Sequence, residues 1–304
     1  MKKNTSFTLI ELLVVIVIIG VIAGVIIVTT TSSIGKANIT KLKVFEESVA
    51  NNLAANMVSR WKLDDVIETN KTPDAWGSNK GTLYFDSLTA GYGDSHASGP
   101  MSESNCISGT CFKFDGVDDY IDCSNNSVSF GNSTSDHPFT LSAWVNMTDR
   151  TNFVILSKGN EYLWTNNNFH RLYLYDNSTG NYIYRNGIDL VSYIGKWTYL
   201  ITIYDGSRTI EGIKFYINGT ENPVYGEGSA GTYVAMHSTS NNLFVGNDDV
   251  KYANGLIDDV RIYNAAISSS QIKQNYIAGL NSLLGKGLIS QEEYNQRIEN
   301  LSQK

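Results

Sequence analysis

Charge is scarce in this 304-residue chain. Asp, Glu, Lys and Arg make up 17% of it, and the acids outnumber the bases to leave a formal net charge of −7. A surface that neutralises phosphates is not expected, so nucleic acid finds no support as a partner. Histidine is rarer still. His96, His137, His170 and His237 are scattered through turn-rich stretches, with no H-E-x-x-H and no G-x-S-x-G spacing, so neither zinc-assisted nor serine-based hydrolysis is indicated. Cysteine occurs three times without a C-x-x-C or Cys/His spacing that would hold zinc. Proline occurs four times, whereas Asn, Ser, Thr, Gly and Tyr are abundant. That balance suits a β-rich extracellular domain better than a helical one.

The apolar residues concentrate at one place. Phe7–Val28, FTLIELLVVIVIIGVIAGVIIV, carries one charge, Glu11. As a helix it would reach about 33 Å, enough for a hydrocarbon core of about 30 Å. Lys2 and Lys3 precede it, which keeps the N-terminus in the cytoplasm and sends the rest of the chain across the membrane. A cleaved secretory signal would have a shorter apolar core ending at a small-x-small site. A plain anchor fits the length but leaves Glu11 without a role, at a cost of about 2.5–3.5 kcal/mol on insertion scales. A buried acid of that kind is normally partnered.

FTLIE after a short basic leader resembles the class III signal of type IV pilins and pseudopilins. The resemblance implies cleavage by a prepilin peptidase between Ser6 and Phe7, N-methylation of Phe7, and pairing of the Glu11 carboxylate with the Phe7 amine of a neighbouring subunit. Where the family usually has Gly before the cut, this chain has Ser6. Beyond Val28, Ile34, Ala37, Leu42, Phe45, Val49, Leu53 and Met57 keep a helical spacing among polar residues. This predicts an amphipathic stalk over 29–57, as pilin-like chains have.

Near Arg60 the period changes from about 3.6 to 2. Short apolar-alternating segments then follow one another, divided by Gly, Asn and Asp turns: Cys111–Phe114, Tyr120–Cys123, Phe139–Asn146, Phe153–Lys158, Arg171–Tyr175, Tyr182–Arg185, Trp197–Tyr204, Ile213–Asn218, Leu243–Gly246 and Gly255–Tyr263. Such density predicts a two-sheet antiparallel sandwich. Trp61-Lys62-Leu63-Asp64, the stretch from Asp74 to Leu83, Phe114 to Ile121, Phe139 to Val145, Ile213 to Gly219 and Gly255 to Asn264 stand in the order of the laminin-G-like, concanavalin A-like jelly-roll family, which they resemble over about 58–278. Glycosidases on such jelly rolls use an E-x-D-x-x-E strand. This chain has none, so the paired carboxylates of glycoside hydrolysis are missing there and no enzyme activity is expected.

Several groups are candidates for function. Alternation sends Leu172, Leu174 and Ile183 to one face and Tyr173, Tyr175, Tyr182 and Tyr184 to the other. A turn at Asn177–Gly180 would set Tyr175 opposite Tyr182 and Tyr173 opposite Tyr184. The four rings then form either a sugar-stacking patch, with Trp164 as an extra wall, or plain cross-strand aromatic pairs. Asp115, Asp118, Asp119, Asp258 and Asp259 suggest a structural calcium ion, for which Asp259 with Asp74 or Asp64 is the first choice. Backbone-capping turns are the alternative. Cys106, Cys111 and Cys123 lie on the side where disulfides persist. Cys106–Cys111 is favoured and would contribute about 2 kcal/mol. Cys111–Cys123 across a turn at Gly116–Val117, or three free thiols, are the rivals.

From Ile267 the chain is helical again, with Ser268/Gln271 and Ser290/Glu293 as capping boxes. The segment from Leu283 to Tyr294 resembles a short C-terminal module of bacterial proteins linked to oligomer contacts, and a solvated hairpin lying on the domain fits equally. The sequence therefore predicts a mainly β protein in five parts: leader 1–6, transmembrane and assembly helix 7–28, stalk helix 29–57, jelly roll 58–278 and C-terminal helical hairpin 279–304. It reads as a pilin-like subunit, minor or at a tip, held in a bacterial cytoplasmic membrane with its head outside and then on the cell surface. Its expected partners are the prepilin peptidase, other pilin or pseudopilin subunits, and a carbohydrate or surface-protein ligand. A secretion pseudopilin and an unprocessed membrane-anchored lectin are the alternatives.

Overall fold

A computed structural model describes residues 55–64, 70–85, 99–101, 105–124, 128–176 and 180–302. All belong to one compact unit, Val49–Lys304. The leader, Phe7–Val28 with Glu11, almost all of the expected stalk, and most of the turn before Gly180 lie outside the described residues. Among those described, no helix is long and apolar enough to cross a membrane.

Two antiparallel sheets form the unit. The first runs β14 (Thr220–Asn222), β13 (Ile213–Ile217), β12 (Thr198–Tyr204), β7 (Phe139–Met147), β17 (Asn254–Tyr263), β5 (Cys111–Asp115) and β4 (Gly99–Met101). Alongside, β1 (Met57–Trp61) pairs with the second half of β17 while β5 pairs with its first half. The second sheet runs β15 (Gly226–Ala230), β11 (Tyr182–Asp189), β10 (Phe169–Tyr175), β9 (Tyr162–Asn167), β8 (Phe153–Lys158), β16 (Phe244–Val245), β6 (Tyr120–Asp122), β3 (Gly81–Tyr84) and β2 (Lys71–Thr72). The strands expected from the sequence are present to within a few residues. Met57, given to the stalk by its spacing, instead opens β1.

Alternation along β7 builds the core. Phe139, Leu141, Ala143, Val145 and Met147 meet Phe112, Phe114, Leu172, Leu174 and Ile183 between the sheets. Thr140, Ser142 and Trp144 point the other way yet are equally buried, because Ala265 and Ile267 cap Thr140 and helix α1 (Ser269–Gly285) lies over Trp144. Its start is the expected capping box: the Ser268 hydroxyl accepts from the Gln271 N–H, and the Gln271 side chain accepts from the Ser268 N–H. Buried residues at 272, 276, 279, 280 and 283 give it one apolar stripe. Tyr276 stacks on Trp144 at 5.7 Å, and Trp144 on Tyr199 at 5.1 Å. A Cβ at Gly279 would fall 2.4 Å from the Trp144 ring, so only glycine lets the helix come this close.

Helix α2 (Gln291–Ser302) folds back on α1. The Tyr294 hydroxyl donates to Asn281 at 2.7 Å, and Lys273 donates to the Leu301 carbonyl. Its capping box is one-sided. Ser290 accepts from the Glu293 N–H, but the Glu293 carboxylate goes to Arg297 at 2.7 Å, an i,i+4 ion pair that competes for the same oxygens. The expected division at 278/279 falls inside α1, which is continuous from the sandwich into the hairpin.

Cys106 and Cys111 are joined by a disulfide, and Cys123 is a buried free thiol whose pKa burial pushes up. The loop they close is clasped from two sides. The Asp258 carboxylate accepts from the Ile107 and Ser108 N–H groups at 2.8 and 3.3 Å. From α1 the Ser282 hydroxyl donates to the Ile107 carbonyl. Just past the helix, the Lys286 ammonium donates to the carbonyls of Cys106 and Gly109.

Candidate functional site

The outer face of the second sheet is where exposed chemistry gathers. Register sets Tyr175 opposite Tyr182 and Tyr173 opposite Tyr184, and all four rings are half-buried. Tyr173 lies 5.1 Å from Tyr184, 5.6 Å from Tyr182 and 5.8 Å from Tyr175, while Tyr175 and Tyr182 are 5.9 Å apart. Edge and face geometries alternate, as ring quadrupoles prefer. Burial raises the Tyr175 hydroxyl pKa, so it stays a neutral donor and acceptor.

The same parity continues down both strands. Arg171 and Asn186 form the next opposed pair, after which β11 carries a bulge and Phe169 sits opposite Asp189. The Arg171 guanidinium lies 5.5 Å from the Tyr173 ring centre and 5.4 Å from that of Tyr184. Its Nε donates to the Asn186 side-chain oxygen and its Nη1 to the Tyr173 hydroxyl at 2.9 Å. Phe169 stacks on Tyr225 at 4.6 Å, and Tyr225 is 71% exposed. On the adjoining edge strand Tyr184 faces Gly228. A Cβ there would come 2.7 Å from the Tyr184 ring, so glycine is what lets the ring lie flat. From Tyr175 to Phe169 the strip runs about 20 Å.

Trp164 is not part of it. Its register partner is Leu172, which puts it on the core face, fully buried, with its indole N–H donating to His170 Nε2 at 2.8 Å. The Thr202 hydroxyl lies 2.8 Å from the same nitrogen. Burial lowers the His170 pKa to about 3, so the ring is neutral. Sequence reasoning missed Arg171, Asn186, Phe169 and Tyr225. The first two share the tyrosines' parity and were within reach of it.

The expected metal set is also corrected. Asp259 is buried and ion-paired to Arg60 at 2.8 Å and to Arg261. Burial opposes its ionisation, but the two guanidiniums, Arg261 foremost, outweigh it and hold Asp259 well below the usual carboxylate range. Asp74 is spent on the backbone N–H groups of Arg60, Trp76, Gly77 and Asn79, and the Asp64 carboxylate lies against Gly109. Asp258 is pushed up by burial first and by the charge of Asp259 second. The acids that do converge are Asp115, Asp118 and Asp119, whose ligand oxygens lie within 4.8 Å of one another in the turn between β5 and β6. Asp119 accepts from the Asp115 N–H and Asp115 from the Val117 N–H, while Asp115 Oδ2 is buried without a hydrogen-bond partner. An all-carboxylate donor set of this kind suits a hard cation.

Residues 115–273, just over half of the chain, match the family model for the concanavalin A-like lectin/glucanases superfamily. The chain belongs to that superfamily. Residues 1–27 match the prokaryotic N-terminal methylation motif, so a pilin-like leader and a lectin-like jelly roll stand on one polypeptide. No curated protein matches. Among solved structures the chain is similar to the botulinum neurotoxin serotype D ligand-binding domain in complex with N-acetylneuraminic acid, at 17% identity over 76% of this chain and 53% of that one, TM-score 0.51. It is also similar to domain 4 of AbnA, a GH43 extracellular arabinanase from Geobacillus stearothermophilus in complex with arabinotriose, at 19% identity over 72% of this chain and 97% of that one, TM-score 0.45. Trypanosoma rangeli sialidase gives 13% identity over 79% and 38%, TM-score 0.45. At such identities the likeness is one of fold.

Proposed function

We propose that the chain is a pilin-like subunit, minor or at a tip, whose jelly-roll head binds carbohydrate for adhesion and carries no catalytic activity. The tyrosine strip carries the sugar reading. Its ring faces are apolar and its rims polar, which suits stacking on a sugar ring while hydroxyls meet the ring's edge. The methylation motif supports the rest: cleavage between Ser6 and Phe7, methylation of Phe7, insertion with the head outside, and assembly into a surface filament with Glu11 meeting a neighbour's amine. A calcium ion in the head would be held by Asp115, Asp118 and Asp119 and would stiffen their turn.

Two measurements test the reading. N-terminal sequencing of membrane-extracted protein is expected to start at methyl-Phe7, and a start at Met1 refutes the filament part. Full-length chain in detergent on a glycan array is expected to retain at least one glycan and to lose it in Tyr173→Ala with Tyr184→Ala. Binding unchanged in that pair refutes the strip.

A further inference from the structure

We propose that Arg171 makes the tyrosine strip selective for acidic saccharides, those bearing a carboxylate or a sulfate, over neutral ones. This rests on the sugar reading of the strip. Arg171 sits within the strip, between Tyr173 and Tyr184 on one side and the Phe169–Tyr225 stack on the other. A guanidinium carries five N–H donors. Two are used here, one on Asn186 and one on Tyr173, both neutral acceptors.

No carboxylate among the described residues pairs with it. Arg150, Arg185, Arg261 and Arg297, by contrast, each hold an acid. Asp248, which acts electrostatically on Tyr175 at the far end, already accepts from the Val250 and Lys251 N–H groups. In a chain of net charge −7, a half-buried cation kept unpaired among aromatic rings is held ready for an anion from outside. The two bonds to Asn186 and Tyr173 fix the plane of the fork, so its remaining donors are preorganised for the two oxygens of a carboxylate or sulfate. The flanking rings take the sugar faces on either side.

Full-length chain in detergent is titrated with oligogalacturonate, with the same oligomer after carboxyl reduction, with a sulfated galactan oligomer and with oligoglutamate. The expected result is binding of at least one acidic saccharide about tenfold or more tighter than the reduced oligomer, weakening as salt rises. The arm that responds tells carboxylate from sulfate. Arg171→Gln is expected to lose about ten- to a hundredfold on the acidic ligand and much less on the reduced one, so that the preference between them collapses, with Arg171→Lys between the two. Thermal melting checks that each variant is folded, and if Arg171→Gln is not, Arg171→Lys against the parent carries the comparison. Equal affinity for acidic and reduced oligomers overturns the inference and leaves a neutral-sugar site. Selectivity intact in the variant overturns it too. Oligoglutamate binding as tightly as the saccharides overturns the ligand class. Failure to bind any saccharide removes the sugar reading itself, and this inference with it.

Discussion

The two outer faces of the sandwich carry similar residues and meet opposite fates. On the first sheet Trp144 and Tyr199 are covered by α1 and its Tyr276, all within a few per cent of full burial. On the second sheet Tyr173, Tyr175, Tyr182 and Tyr184 line up just as closely and are left half in solvent. An aromatic ladder is therefore not in itself a binding surface. What separates the two is whether another element of the chain lies on it, and here one helix covers one ladder and none of the described residues covers the other.

The comparison can be broken by truncation. Trp144→Ala should cost about 3–5 kcal/mol, seen as a lower denaturant midpoint, because the covered ladder is part of the packed interior. Gly279→Val, which drives a side chain into the same ring, should cost about 1–3 kcal/mol and loosen α1, read by amide exchange along the helix. Reducing Cys106–Cys111 should cost about 2 kcal/mol. Its loop is clasped by Ser282 and Lys286, so exchange should again rise at the α1 end. On the open side Tyr173→Ala should cost under about 1 kcal/mol while abolishing sugar retention. A loss there as large as at Trp144 would mean that the strip is structural.

A pH series sharpens the contrast between surface and interior. His170 is neutral when folded, with a pKa of about 3, and titrates near 6.5 when unfolded. The unfolded chain therefore binds the extra proton across that window. Stability from this group is complete above pH 6.5 and is lost as pH falls toward 3, by about 1.4 kcal/mol per unit at most. His170→Gln should flatten the midpoint against pH in that window relative to the parent, and an unchanged slope would refute the assignment.

Much of this was legible in the residues, and the failures have physical causes. Period-2 alternation set the parity of Leu172, Leu174 and Ile183 against the four tyrosines, because β10 is regular and β11 bulges only after Asn186. The covered face was not legible, since β7 alternates in the ordinary way and only α1, far off in sequence, buries its second side. Trp164 was misplaced because no strand was expected between Lys158 and Arg171, so β9 and its parity went uncounted. Tyr225 precedes β15, whose Gly-Glu-Gly-Ser-Ala sequence carries no apolar alternation. The acids of β17 were misjudged for a different reason. Asp259 has a positive φ of 48° at the bulge, which resets the parity, so counting along the strand cannot say which of Asp258 and Asp259 meets Arg60.

The clasp on the disulfide loop has a bearing on biosynthesis. The groups that hold its carbonyls stand 175 and 180 positions downstream of them, so they leave the ribosome well after the loop itself. Until they arrive, Trp144 and Tyr199 stay bare and the loop's carbonyls stay open to water. A chain cut short before Tyr276 would display a greasy flank that proteases and chaperones can recognise, so completion of α1 closes this face of the head.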